Sequence, residues 1–323
     1  MLVDYLATTP DPSSHERLVI TTGGMQGLDL ACKLFVDPGD LVVVESPTYT
    51  NGSATALSYG AQLLEVPVDD DGMQVDRLEE LVAHTHQTPK AIYTIPTFQN
   101  PSGVTLSEER RRELLRLAHI WGAVIIDDDP YGLLRFAGTD LPTFQTLSPA
   151  DPLVFSVRTF SKILAPGWRV GWVDADPSLR QLLINGKQAM DTCTNVPNQH
   201  IVAEYIARGG LEDHLTGIRA LYRERKDAML DSIARHLGER VTTTNPEGGF
   251  FLWVTLGAEF AEIDTRELFE VALADGVAFI PGPALSPGGR FRNSMRLCFA
   301  SSTPERIDEG IRRLTASLEK MAG

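Results

Sequence analysis

Four short, unbroken apolar runs constrain the fold of this chain more than any other feature of its sequence. They cover residues 41–45, 91–94, 123–126 and 153–157. Continuous runs of this length are typical of strands that are buried on both faces, as in parallel sheets. A helical pattern at 107–121, with Ser107 as N-cap, separates the second run from the third. This alternation predicts an α/β fold with a mainly parallel central sheet flanked by helices.

The pattern changes after about residue 185. Helical spacing and charged residues dominate 198–237, and apolar runs at 248–256, 277–280 and 294–299 indicate further strands. A helix is expected at 265–275, and a last one begins with Thr303 as N-cap and Pro304 as first helical residue and runs towards Met321. We therefore expect a large domain over residues 1–195, then an inter-domain helix and a smaller α+β domain over residues 196–323.

The charge and composition exclude several classes of partner. The chain has 29 lysines and arginines against 43 acidic residues, a net charge of −14, whereas nucleic acid binds to basic faces. No apolar run approaches the roughly 20 residues that a membrane span needs. The N-terminus does not have the pattern of a signal peptide. We expect neither a nucleic-acid partner nor a membrane partner.

The cysteines and histidines form no recognisable ligand set. Cys32, Cys193 and Cys298 have no paired spacing, so we expect three small buried side chains rather than disulfides. Their low number favours a reducing, cytoplasmic location. The histidines are scattered without partner ligands, and no metal site is predicted.

Lys162 follows the last of the four apolar runs after a short turn that contains Thr159 and Ser161. Burying a lysine at the end of a core strand costs free energy unless the amine has a function, and one such function is a Schiff base with a carbonyl cofactor. A solvated loop is the simpler interpretation for a lone lysine. The functional interpretation is favoured because Arg169 follows after a Pro-Gly break and because other motifs accompany it.

The chain resembles the fold-type I aminotransferases that depend on pyridoxal 5′-phosphate (PLP). Six segments carry the resemblance, in the order of the family: 21–27 (TTGGMQG), 45–49 (ESPTY), 100–103 (NPSG), 127–131 (DDDPY), 159–169 (TFSKILAPGWR) and 296–299 (RLCF). They are most similar to the branch with aminoadipate, kynurenine, aromatic and branched-chain aminotransferases and the effector domains of MocR-type regulators. The resemblance covers nearly the whole chain and implies PLP as cofactor and a homodimer.

The resemblance also implies a role for each site residue. Lys162 forms the Schiff base and moves a proton between the substrate and the cofactor. Asp128 binds the ring nitrogen, while Asn100 and Tyr131 donate to the ring oxygen. Tyr49 stacks on the ring. Arg296, together with Asn100, binds the substrate carboxylate. The phosphate is expected at the start of a helix over 25–35 and around the lysine, on Gly24, Met25, Gln26, Thr159, Ser161 and Arg169.

Simpler explanations remain open for several of these residues. Three consecutive aspartates are also typical of a solvated turn, and the choice of Asp128 within 127–129 is open to a slip of one residue. Tyr49 is also compatible with ordinary core packing, and Asn100 begins a segment with the composition of a β-turn. Arg158 stands where the family usually has glycine, which could narrow the backbone near the phosphate. Met25 stands at a position where members of the family commonly have a polar residue.

The first motif begins at Thr21, whereas family members usually carry some tens of residues more before it. Residues 1–6 look like the middle of a helix without a cap, so we expect a member shortened at its N-terminus. The leading functional prediction is an aminotransferase that exchanges an amino group between an L-amino acid and a 2-oxo acid. A β-lyase or decarboxylase on the same scaffold is an alternative, and so is an aminotransferase-like sensor domain of a transcription regulator.

Overall fold

The computed structural model describes residues 1–322, whose strands form two sheets. The large sheet contains β1 (Leu18–Thr21), β2 (Leu41–Ser46), β3 (Gln62–Asp69), β4 (Gly72–Met73), β5 (Ala91–Thr94), β6 (Val124–Asp128), β7 (Val154–Thr159) and β8 (Gly171–Asp174). The small sheet contains β9 (Val241–Thr243), β10 (Phe251–Leu256), β11 (Ile280–Pro281) and β12 (Ser294–Cys298).

The large sheet has the order β1-β8-β7-β6-β5-β2-β3-β4. Strands β7, β6, β5, β2 and β3 run parallel to their neighbours, and the antiparallel pairs lie at the two ends of the sheet. The small sheet, in the order β11-β12-β10-β9, is antiparallel throughout. The predicted fold class is confirmed.

Helices cover both faces of the large sheet, and further helices pack against the small sheet. They are α1 (Leu2–Leu6), α2 (Gly24–Phe35), α3 (Thr50–Ser58), α4 (Leu78–Thr85), α5 (Glu108–Trp121), α6 (Phe144–Leu147), α7 (Arg180–Asp191), α8 (Val196–Ala207), α9 (Gly210–His236), α10 (Thr265–Ala274) and α11 (Pro304–Ala322). Ser107 caps α5 as predicted, since its hydroxyl accepts from the backbone N–H of Arg110 at 3.4 Å. α11 begins at Pro304, as the sequence predicted.

Separate apolar cores cover the two faces of the large sheet. Val42 and Val44 of β2 pack into the core that contains α2, whereas Val43 packs into the core that contains α4 and α5. α2 lies close to the sheet because Gly27 faces β7, where a Cβ would come within 2.8 Å of Val157 Cγ1. This contact places the first turn of α2 beside the end of β7.

The structure corrects several predicted boundaries. β6 extends to Asp128 rather than ending at 126, so two of the three aspartates belong to the strand. The helical region predicted at 198–237 consists of α8 and α9, separated by Gly209 with a φ of 75°. The strand predicted at 248–256 begins only at Phe251, because Gly249 has a φ of 72° and lies against Phe98. The strand predicted at 277–280 is reduced to β11.

One expectation about the cysteines is wrong for two of the three. Cys32 is buried, but Cys193 lies exposed between α7 and α8, and Cys298 is exposed at the end of β12. Among residues 1–322, no helix is both long and apolar enough to cross a membrane. The division into domains at residue 195 stays a prediction.

Candidate active site

The carboxyl ends of three adjacent parallel strands bring predicted site residues to one edge of the large sheet. Asp128 is the last residue of β6, where it pairs with Val157 of β7. Lys162 lies on the turn that follows β7, and Asn100 lies on the segment that follows β5. Ligands of open α/β sheets bind at this edge.

Strand geometry separates the three aspartates. Asp127 accepts from Arg158 at 2.7 Å and from the hydroxyl of Ser156 at 2.9 Å on one face of the sheet. Asp128 points to the opposite face, because successive side chains of a strand alternate. Asp129 accepts from the backbone N–H of Gly132 at 2.7 Å. Val157 of β7 packs against Gly27 of α2, so the side chain of the next residue, Arg158, points to the face of the sheet away from α2.

Asp128 is buried, and its carboxylate accepts from the hydroxyl of Tyr93 at 3.0 Å. Burial raises its pKa to about 7, although the hydrogen bond from Tyr93 and the charge of Arg158 oppose this. No arginine or lysine forms a salt bridge with it within residues 1–322. A cationic partner would stabilise the ionised form of such a buried carboxyl.

Lys162 is half-buried, and both positively charged and acidic side chains lie near its amine. Burial lowers its pKa, and so do the positive charges of Arg296 and Arg169, while Cys298 and Asp128 oppose the shift. The amine therefore holds a larger neutral fraction than an exposed lysine does. A neutral amine is the form that attacks a carbonyl carbon.

The turn at the start of α2, residues 22–26 and here called the phosphate turn, lies against Arg169. Gly23 is the N-cap of α2, with a φ of 78° and no side-chain cap. A Cβ on Gly23 would lie 2.3 Å from Arg169 Nη2, so the close approach requires glycine. The first N–H groups of α2, on Gly24, Met25 and Gln26, have no acceptor within the helix and favour an anion.

Arg169 also joins the phosphate turn to the turn after β7 that carries Lys162. Its Nη1 donates to Ser161 Oγ at 3.1 Å, and Thr159 Oγ1 donates to the same oxygen at 2.9 Å. The structure thus brings together the predicted phosphate-binding residues of both turns. A guanidinium, two hydroxyls and free helical N–H groups form a donor set that suits a phosphate.

Two tyrosines that the sequence predicted for the site lie around the same edge. Tyr49 is half-buried before α3, and its hydroxyl lies 3.7 Å from Met25 Sδ. Tyr131 is buried, and its ring contacts those of Phe250 and Phe251 edge-on at centroid distances of 5.4 and 5.9 Å. Burial raises the pKa of both tyrosines, so both keep their hydroxyl protons at neutral pH.

Arg296, on β12, reaches the site from the small sheet. Its Nη1 donates to Asn100 Oδ1 at 2.8 Å, and its guanidinium carbon lies 4.1 Å from the centroid of Phe251. Burial lowers its pKa. Its Nε is buried without a hydrogen-bond partner among the described residues, and none of their carboxylates pairs with it. Such a guanidinium suits the carboxylate of a ligand.

The comparisons with known proteins agree with this geometry. The family model of the class I and II aminotransferases matches residues 4–314. The chain belongs to this family. It is 40% identical to an aromatic-amino-acid aminotransferase of Thermococcus litoralis, over 96% of this chain and 74% of the relative. It is 36% identical to a 2-aminoadipate transaminase of Thermus thermophilus, over 94% of this chain and 76% of the relative.

A solved structure with the same fold is a kynurenine aminotransferase of Pyrococcus horikoshii in complex with PMP. It is 40% identical to this chain with a TM-score of 0.93, covering 99% of this chain and 79% of that one. The chain thus spans about three quarters of the length of these relatives. It is a PLP-dependent aminotransferase. The residues at the sheet edge fit that cofactor, since they offer an amine, a buried carboxyl that lacks a cation, and a glycine turn against an arginine.

The sequence analysis assigned no role to three residues that lie at or beside the site of the aminotransferase. Tyr93 binds Asp128, and the only sequence signal was a tyrosine inside an apolar strand, which needs a partner for its hydroxyl. Glu45 is fully buried at the end of β2, and burial raises its pKa to about 7. It accepts from Gln99 Nε2 at 3.0 Å, next to Asn100. Asp191 is the third, and it binds the phosphate turn.

A cavity of about 1090 Å³ lies on the opposite face of the sheet from the phosphate turn. Asp129, Arg158 and Arg219 are among its lining residues. Lys162 does not line this cavity, whereas Thr159, one of the predicted phosphate-binding residues, does. The site of the aminotransferase is therefore defined by side-chain chemistry rather than by the volume of the cavity.

Proposed function

We propose that Lys162 is the reactive amine of this aminotransferase and that aromatic L-amino acids are its amino donors. The observation that supports the first part is the half-buried position of Lys162 among Arg296, Arg169 and Asp128. These surroundings lower the pKa of the amine and keep more of it neutral. When bound, PLP supplies an aldehyde that reacts with amines and a ring that withdraws electrons from the substrate Cα.

The other residues hold the cofactor and move protons. Gly24, Met25 and Gln26 would bind the phosphate through their backbone N–H groups, together with Thr159, Ser161 and Arg169. Asp128 would bind the ring nitrogen as a carboxylate, and Tyr131 and Asn100 would donate to the ring oxygen. Tyr49 would stack on the ring. Lys162 Nζ then accepts the proton from the substrate Cα, as a general base.

The side-chain preference of the donor is inferred from the surroundings of Arg296. This residue would bind the α-carboxylate, since its guanidinium has no carboxylate partner within residues 1–322. An aromatic cluster lies beside it: Phe250 contacts Tyr131 at 5.4 Å and Tyr222 at 5.2 Å between ring centroids. Aromatic pairs favour a further ring at an edge or a face. The similarity to aromatic and kynurenine aminotransferases supports the same class of donor.

A homodimer in the cytoplasm completes the proposal. Exposed apolar side chains lie on α3 and α7, which contact α2, and on α8: Leu57, Leu182, Met190, Val196 and Ile201. A second copy of the chain would remove exposed apolar side chains of this kind from water. The sparse, unpaired cysteines support a reducing compartment.

The test is the visible absorbance of the cofactor-loaded enzyme after addition of one amino acid without an acceptor. We expect a rapid change with phenylalanine, tyrosine, tryptophan or kynurenine, a slower one with aspartate, and recovery when a 2-oxo acid is added. Release of carbon dioxide, or of ammonia and pyruvate from a β-substituted alanine, would instead identify a decarboxylase or a β-lyase. Absorbance that never responds to any amino acid would contradict the proposal and favour a sensor domain.

A further inference from the structure

Asp191, the last residue of α7, binds both ends of the phosphate turn. Its Oδ2 accepts from Thr22 Oγ1 at 2.6 Å and from Gln26 Nε2 at 2.8 Å. Gln26 Oε1 in turn accepts from the backbone N–H of Thr22 at 2.8 Å. These three bonds close a ring around Gly23 and Gly24, and the two that Asp191 accepts connect segments that lie more than 160 residues apart in the chain.

Lys187 keeps Asp191 ionised. Its Nζ, on the preceding turn of α7, lies 2.6 Å from Asp191 Oδ1 and 2.9 Å from Oδ2. Lys187 is only 8% exposed. Burial raises the pKa of Asp191, but the hydrogen bonds from Lys187, Thr22 and Gln26 outweigh it, so that the net effect is a lowered pKa. Charge-assisted hydrogen bonds of this kind are shorter and stronger than neutral ones.

The phosphate turn needs such an external anchor. Its N-cap is Gly23, which offers no side chain to hold the first N–H groups of α2. Two consecutive glycines also give the unanchored turn many accessible conformations. An anion site made of backbone N–H groups binds well only when those groups already point at one place. Asp191 holds the side chains of Thr22 and Gln26 and leaves the backbone N–H groups at the start of α2 free for the phosphate.

We propose that Asp191 is a positioning residue for the cofactor phosphate, acting through Thr22 and Gln26. This inference rests on the phosphate site proposed above for the same turn. It makes a selective prediction, since PLP and pyridoxal differ only in the phosphate. Loss of the anchor weakens the binding of PLP and leaves the binding of pyridoxal unchanged, whereas general damage to the fold weakens both.

The experiment compares equilibrium binding of PLP and of pyridoxal to the apoenzyme. We expect Asp191→Asn to raise the Kd of PLP about tenfold or more, the loss expected for charged hydrogen bonds. The Kd of pyridoxal should stay within about twofold of wild type. The matched control is Asp231→Asn, an exposed aspartate of α9, which should change neither value. Equal losses for both ligands in Asp191→Asn would overturn the inference.

A second pair of variants avoids the risk that Asp191→Asn leaves Lys187 unpaired and unfolds the protein. Thr22→Val removes the hydroxyl that Asp191 accepts from, and Thr22→Ser keeps it. Of these two variants, only Thr22→Val should selectively weaken the binding of PLP. When it is combined with Asp191→Asn, the Kd of PLP should rise little further. Arg169→Ala separates the two claims. If it is selective for PLP and the Asp191 and Thr22 variants are not, the inference fails and the phosphate site stands. If none is selective, both fail.

Discussion

Replacing Arg296 by alanine should reduce kcat/KM selectively for substrates that carry an α-carboxylate. One nitrogen, Nη1, is engaged with Asn100, which leaves Nη2 and the buried, unpaired Nε for the ligand. Hydrogen bonds to charged groups contribute about 1.5–3 kcal/mol each. Two such bonds correspond to about 3–6 kcal/mol, and at about 1.4 kcal/mol for each factor of ten kcat/KM should fall about 100- to 20,000-fold.

The assay compares phenylalanine with phenethylamine, which has the same ring but no carboxylate. Steady-state or single-turnover rates on the two amines give kcat/KM for each variant. Arg296→Ala should lose activity on phenylalanine and change little on phenethylamine, and Arg296→Lys should lie between. Arg290→Ala is the matched control, because this arginine is exposed in a loop near the small sheet. Equal losses on both amines would refute the carboxylate-binding role.

Three further predictions concern Asp128 and its surroundings. Tyr93→Phe removes the hydrogen bond to Asp128 and should lower kcat about tenfold, whereas Tyr59→Phe, which removes a tyrosine bond to Asp29, should leave steady-state rates unchanged. Gly52→Ala places a Cβ 2.4 Å from the hydroxyl of Tyr93, so it should reproduce the loss of kcat and also lower the melting temperature. The folded pKa of Asp128, about 7, lies above the ordinary value of 3.8, so the apoenzyme loses stability as pH rises through that window. Asp128→Asn has no carboxyl to ionise. Denaturant unfolding of the two apoenzymes should therefore show that the free energy of unfolding of Asp128→Asn, relative to that of wild type, increases from pH 5 to pH 8. The increase is at most about 1.4 kcal/mol for each unit of the pKa difference. An advantage that is the same at both pH values would contradict the raised pKa.

The sequence predicted the large sheet well because its central strands are buried on both faces. Such strands are continuous apolar runs, and the predicted run at 91–94 coincides with β5. The small sheet was predicted less well. Gly248 and Gly249 look like the start of a strand in the sequence, but their backbone is shaped by the side chain of Phe98, about 150 residues earlier. Packing over that distance leaves no local signal.

In the candidate site, too, some residues could be predicted from the sequence and others could not. Asp128 ends a strand and Lys162 lies just after one, and a parallel sheet necessarily collects the carboxyl ends of its strands at one edge. The supporting contacts could not be predicted, because they join distant segments. Tyr93 and Asp128 are 35 residues apart, and Thr22 and Asp191 are 169 residues apart. Their pairing depends on strand order and helix packing, which only the folded chain specifies.

The most direct test of the central claim is to locate the lysine that reacts with PLP. Borohydride reduces the linkage between a lysine amine and the cofactor aldehyde to a stable bond, and peptide mapping by mass spectrometry then identifies the modified residue. The account predicts a single modified peptide carrying the cofactor on Lys162, and none in Lys162→Ala. Modification of another lysine in the wild-type enzyme, with Lys162 unmodified, would contradict it.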